Sequence, residues 1–426
     1  MSTEEKKNFP ISQDSKNIFK PKNEDEASQI VKNLYKNKIP VEIIGLGSKK
    51  FIGNKLQCSK ILDLSNLSGI IDYFPEELYI KVKACTSIIE IEKKLNEHNQ
   101  HLSFETLDFG YIFLGKSNKG TAAGSVSCNF AGSRRFKAGS VRDYVLGFRG
   151  VNGKGDIIKS GGTVVKNVTG YDLSKLITGS FGTLVALTEI TFKVLPKKSF
   201  NRTIVIHEIT KKKIANLFNK ISNSSSEVTG SMYLPLESNN NKFKNNNEEI
   251  FKFNDLKYSG PYIAIRVDGS KKSIEEKINN LSIELDLINK KTSILDYYQS
   301  DLFWQKVNNL ELFSNTKNTI LRIVIPPSKI VNLLEYFDEH YRYFIDWCGS
   351  LVWLEASELT EEKFFSLKKF IVELEGYLTV IKQSDESLSI KENFTVNETL
   401  LNISKKIKES FDPKKIFNPG KMYKEI

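Results

Sequence analysis

The chain is poor in the residues that build metal and cluster sites. Its 426 residues hold four cysteines, Cys58, Cys85, Cys128 and Cys348, far apart and with no Cys-x-x-Cys. That spacing excludes a disulfide framework, a zinc site and an iron–sulfur cluster bound by this chain alone, and it predicts a reducing, cytoplasmic setting. The four histidines, His98, His101, His207 and His340, form no ligand-spaced pair, so no metal is expected. Long apolar runs are missing too: YIAIRV and ILRIVI are strand-sized, far short of the roughly 20 residues that span a bilayer. The first residues, MSTEEKKNFPISQDSKN, have no apolar h-region, which predicts no secretory signal. There is no dense arginine run and no RNP-type aromatic motif. The formal net charge is +11, but the lysines are scattered among Asn and Glu. A nucleic-acid partner is therefore not expected, although small anions should be drawn to such a surface.

What remains is a globular composition, 40% apolar and 27% charged. At roughly 150 residues per domain the length predicts two or three domains. Residues 1–24 are polar and read as a tail. From Ala27 an apolar stripe at helical spacing (Ile30, Val31, Leu34) gives way at Pro40 to the strand VEIIG, then to the strands KILDL and YIKVKA. Ser87 and Glu90 form a capping box ahead of Ile88, Ile91 and Leu95. Between residues 110 and 190 the chain is rich in Gly, Ala, Ser and Thr, and Asn152-Gly153-Lys154-Gly155 predicts a hairpin turn. Pro196 marks a boundary. Beyond it, strands such as RTIVIHEI, YIAIRV, ILRIVI and SLVWLEA alternate with amphipathic helices near 209–221, 271–289 and 361–376. That pattern predicts an α+β domain with a mixed or antiparallel sheet. No internal repeat is visible, and the Asn-rich stretch within 237–257 reads as a surface loop.

Three motifs invite a ligand reading. GYIFLGKS (Gly110–Ser117) matches the P-loop pattern literally, but Tyr111, Ile112, Phe113 and Leu114 are too bulky to wrap a phosphate. Gly45-Leu46-Gly47-Ser48-Lys49-Lys50 follows a buried strand; its backbone N–H groups, the Ser48 hydroxyl and two lysines suit an anion, and an ordinary turn would look much the same. GTAAGSVSCNFAG (120–132) is a run of small residues against which a flat ligand can lie, or a close-packed helix. The stretch from Gly161 to Asp172 concentrates Lys166, Asn167, Tyr171 and Asp172 between glycines, with Arg134, Arg135, Arg142 and Asp143 nearby in sequence.

Taken in order, GLGSKKFIG, FETLDFG, GTAAGSVSCNFAGSRR, AGSVRDYVLGFRGVNGKGDIIKSGGTVVKNVTGYDLSKL, GSFGTLVALTEITFKVLP and FDPKKIFNPGKMY resemble the FAD-binding proteins of the vanillyl-alcohol oxidase (PCMH) superfamily. More narrowly they resemble the FAD-binding subunits of bacterial glycolate oxidase, also called glycolate dehydrogenase. The cover is strong over residues 27–198, with 341–354 and 411–423 as further anchors. The resemblance implies a PCMH-type FAD-binding domain of two subdomains over 25–198, a cap over 199–400, and a segment 401–426 returning to the first domain. It also implies that Gly45, Leu46, Gly47, Ser48 and Lys49 cradle the pyrophosphate. Thr121, Gly124, Ser125 and Asn129 would line the flavin, and Gly179, Gly182 and Ile190 would meet the adenosine end. Lys166, Asn167 and Tyr171, with Asp172, would stand near the ring as catalytic groups or knit the pocket together.

Members that bond FAD through histidine carry one in the first glycine loop. This chain has none there, so non-covalent FAD is expected, with Cys128 the one alternative attachment point. No general base for a 2-hydroxy acid is visible. The function implied is thus a subunit of a multi-subunit glycolate dehydrogenase. Its partners would be a second, catalytic FAD-binding subunit and an iron–sulfur subunit, with membrane contact only through them. A stand-alone 2-hydroxy acid oxidoreductase and a structural flavoprotein subunit are the alternatives.

Overall fold

The computed structural model describes residues 17–163, 171–235, 261–288, 290–338, 340–384, 390 and 392–426. The Asn-rich stretch, Lys166 and Asn167 lie outside them.

Helix α1 (Glu24–Asn37) opens three residues ahead of Ala27. Asn23 accepts from the Glu26 N–H at 2.8 Å, and Glu24, Asp25 and Glu26 sit at the positive end of the helix dipole. Its buried Ala27, Val31 and Leu34 pack on a small parallel sheet of β1 (Ile18–Phe19), β2 (Val41–Ile44) and β3 (Lys60–Asp63), in the order β1-β3-β2. β1 falls inside the stretch whose composition reads as a tail, and its pairing with β3 ties that stretch down from Ile18.

Next come β4 (Ile70–Phe74), β5 (Tyr79–Lys83), α2 (Ile88–Asn96), β6 (Gln100–His101) and four short helices: α3 (Gly110–Leu114), α4 (Ala122–Cys128), α5 (Arg135–Ala138) and α6 (Val141–Tyr144). β7 (Val145–Asn152) and β8 (Ile157–Gly161) form the expected hairpin. Asn152 turns it, its Oδ1 accepting from the N–H groups of Lys154 and Asp156 at 2.9 and 3.0 Å. After α7 (Leu173–Ile177) and β9 (Val185–Lys193), β10 (Leu195–Pro196) pairs with β6. The main sheet of this domain is antiparallel, in the order β4-β5-β9-β7-β8.

The second domain is an internal repeat. Its first half is β11 (Phe200–His207), α8 (Ile214–Ser222), β12 (Val228–Leu234), β13 (Tyr262–Gly269), α9 (Lys271–Glu284) and β14 (Thr292–Leu295). After α10 (Tyr297–Asn308) the second half repeats the pattern as β15 (Thr319–Val324), α11 (Ile330–Tyr336), β16 (Tyr341–Asp346), β17 (Leu351–Ala356), α12 (Glu361–Glu373) and β18 (Tyr377–Lys382). Each half is a split β-α-β-β-α-β unit. The strands form one eight-stranded antiparallel sheet, β14-β11-β13-β12-β16-β17-β15-β18. Both halves have the same internal order, and they meet where Tyr233 faces Ile345. The sequence shows no repeat because the likeness lies in hydrogen-bond topology rather than in residue identity.

Helices α8, α9, α11 and α12 cover one face of this sheet, burying Phe218, Leu281, Leu333 and Leu367. The other face meets the first domain. There Phe109, Phe130 and Phe181 join Trp304, Phe344 and Trp353 in one apolar cluster. A group of four charges crosses the same seam. Glu105 accepts from the Arg266 guanidinium at 2.9 and 3.1 Å and from Arg134 Nε at 3.1 Å; Arg134 in turn pairs with Asp268. Burial alone would raise both carboxyls. The two arginines outweigh it and hold Glu105 below its usual range and Asp268 at about 2. The chain then returns through α13 (Glu398–Phe411) to the first domain, where Phe417 bridges to Val41. No helix among the described residues is long and apolar enough to cross a membrane.

Asp346, at the end of β16, is buried at the same seam. It accepts from the Ser133 hydroxyl and the Trp347 N–H, both at 2.7 Å. Burial outweighs those bonds and pushes its carboxyl from 3.8 up to about 7. The folded protein therefore keeps a proton that the unfolded chain releases. The stability this contributes is complete below about pH 4 and is lost as pH rises through about 7. Asp346→Asn should remove that dependence. Denaturant melts of variant and parent should diverge by a few kcal/mol between pH 4 and pH 8, the variant gaining with pH. Parallel curves would show that the buried carboxyl does not titrate in this window.

Candidate cofactor-binding cleft

A cleft opens beside β2, and turns of glycine and other small residues form part of its lining, among apolar side chains such as Leu56, Leu64 and Leu187. One wall is the turn Gly45-Leu46-Gly47-Ser48-Lys49 that leaves β2. Another is the start of α4, with Thr121, Ala123, Gly124, Ser127 and Cys128. A third is Phe181–Gly182, and Asn418 and Lys421 close the cleft from the C-terminal segment.

The fit between the walls depends on missing side chains. Gly120 has φ +78, and a Cβ there would stand 2.1 Å from Ser48 Oγ, so a larger residue would push the glycine turn away from α4. Gly182 has φ +70, and its Cβ would meet Asn418 Nδ2 at 2.7 Å. Thr121 caps α4 by accepting from the Gly124 N–H at 3.1 Å.

Two buried ammonium groups make their hydrogen bonds to neutral oxygens only. Lys49 Nζ donates to the Lys119 carbonyl at 3.1 Å and lies 3.3 Å from Ser48 Oγ; Lys421 Nζ donates to the Lys50 carbonyl at 2.7 Å. Burial lowers the pKa of both, and no carboxylate among the described residues hydrogen-bonds to either. Asp108 acts on Lys49 and Glu42 on Lys421 through space without a hydrogen bond, and a diphosphate in the cleft would supply a directly bonded counter-charge. A glycine turn and a run of small residues, together with cations held ready, fit FAD, a long dinucleotide with a flat ring.

Of the residues expected from sequence, Gly45, Leu46, Gly47, Ser48, Lys49, Thr121, Gly124 and Gly182 line this cleft together. Ser125 and Asn129 stand behind it on α4. The Ser125 hydroxyl donates to the Thr121 carbonyl at 3.2 Å, and Asn129 Oδ1 accepts from the Arg142 N–H at 3.2 Å. Gly179 supports the far side, its N–H donating to the Val126 carbonyl at 2.9 Å. Ile190, on β9, is buried in the core of the first domain. Tyr171 is 91% exposed and away from the cleft, while Asp172 caps α7. Cys128 lines the cleft.

The P-loop look-alike encloses one of the protein's own carboxylates. Asp108 accepts from the N–H groups of Gly110 and Asn118 at 2.9 and 2.8 Å and from the Ser117 hydroxyl at 2.6 Å. Three donors of a phosphate-type loop are thus taken by a fully buried aspartate. Among the described residues no group of three or more His, Cys, Asp or Glu side chains is placed to hold a metal.

Sequence reading missed Asn418 and Lys421. Asn418 accepts from the Ile43 N–H at 2.7 Å through Oδ1 and donates to the Phe181 carbonyl at 2.8 Å through Nδ2, so one side chain joins two walls. Behind it, Lys408 is wholly buried. Its Nζ donates to Asp412 at 2.8 Å and to the carbonyls of Thr183 and Phe417 at 2.6 and 2.9 Å. The run FNPGK was the available signal: it reads as a turn, and only the fold brings that turn against β2.

Comparison with known proteins agrees with this geometry. The FAD binding domain family matches residues 15–161, and the C-terminal domain of FAD linked oxidases matches residues 393–422, the segment that carries Asn418 and Lys421. Glycolate oxidase subunit GlcE of Escherichia coli (strain K12) is 29% identical over 395 residues, 92% of this chain and 94% of its own. Glycolate oxidase subunit GlcD of Bacillus subtilis (strain 168) is 25% identical over 434 residues, 95% of this chain and 88% of its own. Among solved structures, 4-ethylphenol oxidase from Gulosibacter chungangensis in its isoeugenol complex superposes with a TM-score of 0.70 at 12% identity, over 96% of this chain and 89% of that one. The structural likeness shows the PCMH-type fold, and the sequence matches show FAD as the cofactor.

Asn418→Ala strands the Ile43 N–H and the Phe181 carbonyl. It should cost about 1–3 kcal/mol in a denaturant melt and weaken FAD binding at least about tenfold in a titration followed by flavin fluorescence. Gly120→Ala should likewise impair loading, through the Ser48 contact. FAD affinity unchanged in both variants would mean that the cleft is not the cofactor site.

Proposed function

We propose that this chain, an FAD-dependent oxidoreductase with the PCMH-type fold, is the FAD-binding subunit of a multi-subunit glycolate (2-hydroxy acid) dehydrogenase that passes electrons on through its partners. The observation that carries the reading is an end-to-end match with a glycolate oxidase subunit, on a chain whose cleft offers no histidine to act as base.

FAD, when bound, supplies the capacity to accept a hydride from carbon and hand electrons on. The protein's part is to bind and orient it. Gly45 to Lys49 hold the diphosphate through backbone N–H groups and the Ser48 hydroxyl, and Lys49 and Lys421 neutralise it. Thr121, Gly124 and Gly182 give flat walls, and Ser125, Asn129, Gly179 and Ile190 keep those walls in place. The cofactor is held non-covalently. Burial pushes the Cys128 thiol up to about 11, against the pull of Lys49 and Lys421, and a neutral thiol is a poor nucleophile.

A second FAD-binding subunit would supply the base, and a cysteine-rich subunit the clusters that remove electrons. The exposed phenol of Tyr171 suits contact with such a partner better than chemistry inside this cleft. Four free cysteines support a reducing, cytoplasmic location.

The test compares the purified chain with the chain co-expressed with its partners. Alone, it should be yellow, release all flavin on acid precipitation, and stay unbleached by glycolate; the complex should couple glycolate to reduction of a quinone dye. A flavin-loaded monomer with full glycolate activity would show a stand-alone oxidoreductase instead, and a colourless chain that refuses FAD would end the reading.

A further inference from the structure

The sheet face of the second domain that meets the first carries several charges, and most are matched. Arg266 binds Glu105, and Asp268 binds Arg134. Arg342 binds Glu355 through Nε at 2.7 Å, and Glu355 also accepts from Thr316 and from Asn318. Arg322 on β15 is the exception. It stands opposite Trp353 on β17, two residues along that strand from the occupied Glu355. Its Nε is buried and has no hydrogen-bond acceptor. Among the described residues no carboxylate pairs with its guanidinium.

The surroundings are aromatic. The Arg322 guanidinium lies 5.4 Å from the Phe130 ring centroid, 5.1 Å from Trp347 and 6.0 Å from Trp353. A second guanidinium, that of Arg135 on α5 of the first domain, lies 4.4 Å from the same Trp347 ring. Arg135 is exposed, so the pair can be reached from solvent. Two like charges sharing one ring repel, and ring faces offset only part of the cost of burial. The pKa of Arg322 reflects this: burial, with Arg135 adding to it, pulls it down to about 9. A pair with no acid of its own among the described residues is ready for an anion from outside.

We propose that Arg322 and Arg135, sharing the Trp347 ring at the seam between the two domains, bind the carboxylate of a small acid. The proposal rests on the reading of this chain as part of a 2-hydroxy acid dehydrogenase, whose substrate and product both carry that group. A planar guanidinium offers paired donors that match the two oxygens of a carboxylate. The Trp347 indole N–H is already given to the Gly132 carbonyl at 2.9 Å, so the two guanidinium groups are the charged donors at this point of the seam. Since one arginine comes from each domain, the bound acid would bridge the seam.

Tryptophan emission reads the site directly, because two of the chain's three tryptophans, Trp347 and Trp353, border Arg322. The full chain, with and without FAD, is titrated with glycolate, oxalate, acetate and inorganic phosphate. A saturable change with glycolate and oxalate is expected, weaker with acetate and absent with phosphate. Arg322→Gln should raise the apparent Kd for oxalate at least about tenfold, Arg135→Gln about threefold, with Arg322→Lys in between and FAD content unchanged. If Arg322→Gln does not fold, the exposed Arg135→Gln carries the test. Emission unmoved by any carboxylate, affinity unchanged in the variants, or phosphate binding as tightly as oxalate would each overturn the assignment. A yellow protein that ignores every acid overturns this site alone. A colourless protein that still responds to oxalate overturns the flavin reading and leaves the site standing.

Discussion

The molecule depends on a desolvated four-charge contact between its two domains. Glu105 and Arg134 come from the first domain, Arg266 and Asp268 from the second, and each finds an opposite charge. Such a group is a weak source of net stability, because removing four charges from water costs nearly as much as their attraction returns. Its effect is on geometry: any other docking of the domains would leave a buried charge alone, a penalty of about 3–5 kcal/mol. The contact fixes Arg134, and with it the neighbouring Ser133 and Arg135. Ser133 then reaches Asp346, and Arg135 reaches Trp347. The seam and the cleft beside it are thus set by one electrostatic match.

The cleft works by the opposite means. Its glycine turn and the small residues of α4 leave room for a ligand, and their spacing is held by groups behind them. Asn418 spans two walls, and Lys408 with Asp412 anchors the segment that carries it. A glycine-rich turn can come close to a cofactor, but it has little packing of its own and must be braced. Here the bracing is polar and fully satisfied.

Legibility from sequence follows the range of each interaction. The glycine turn after β2, the small-residue run of α4 and the Asn152 hairpin are local, and their chemistry is written in consecutive residues. Helix α1 began earlier than its apolar stripe because capping by Asn23 and acids in the first turn extend a helix that periodicity alone cannot see. The repeat in the second domain was invisible because two split units can share topology with hardly a residue in common. Asn418, Lys421 and Arg322 were missed for a single reason: each acts on groups distant in sequence, and Ile43 and Asn418 are 375 positions apart. The GYIFLGKS match was rejected on bulk, and its structure supplies the deeper reason, an aspartate already occupying the donors.

The span between Ile43 and Asn418 also bears on how the protein is made. While the chain is being synthesised, β2 and its glycine turn leave the ribosome early, but the side chain that fixes their distance from the Phe181–Gly182 wall is added 375 residues later. Loops closed over such a span are slow and costly to form. Capture of the dinucleotide therefore waits until Asn418 has emerged. Until then the nascent first domain carries an open, basic groove that the cell must keep from other anions.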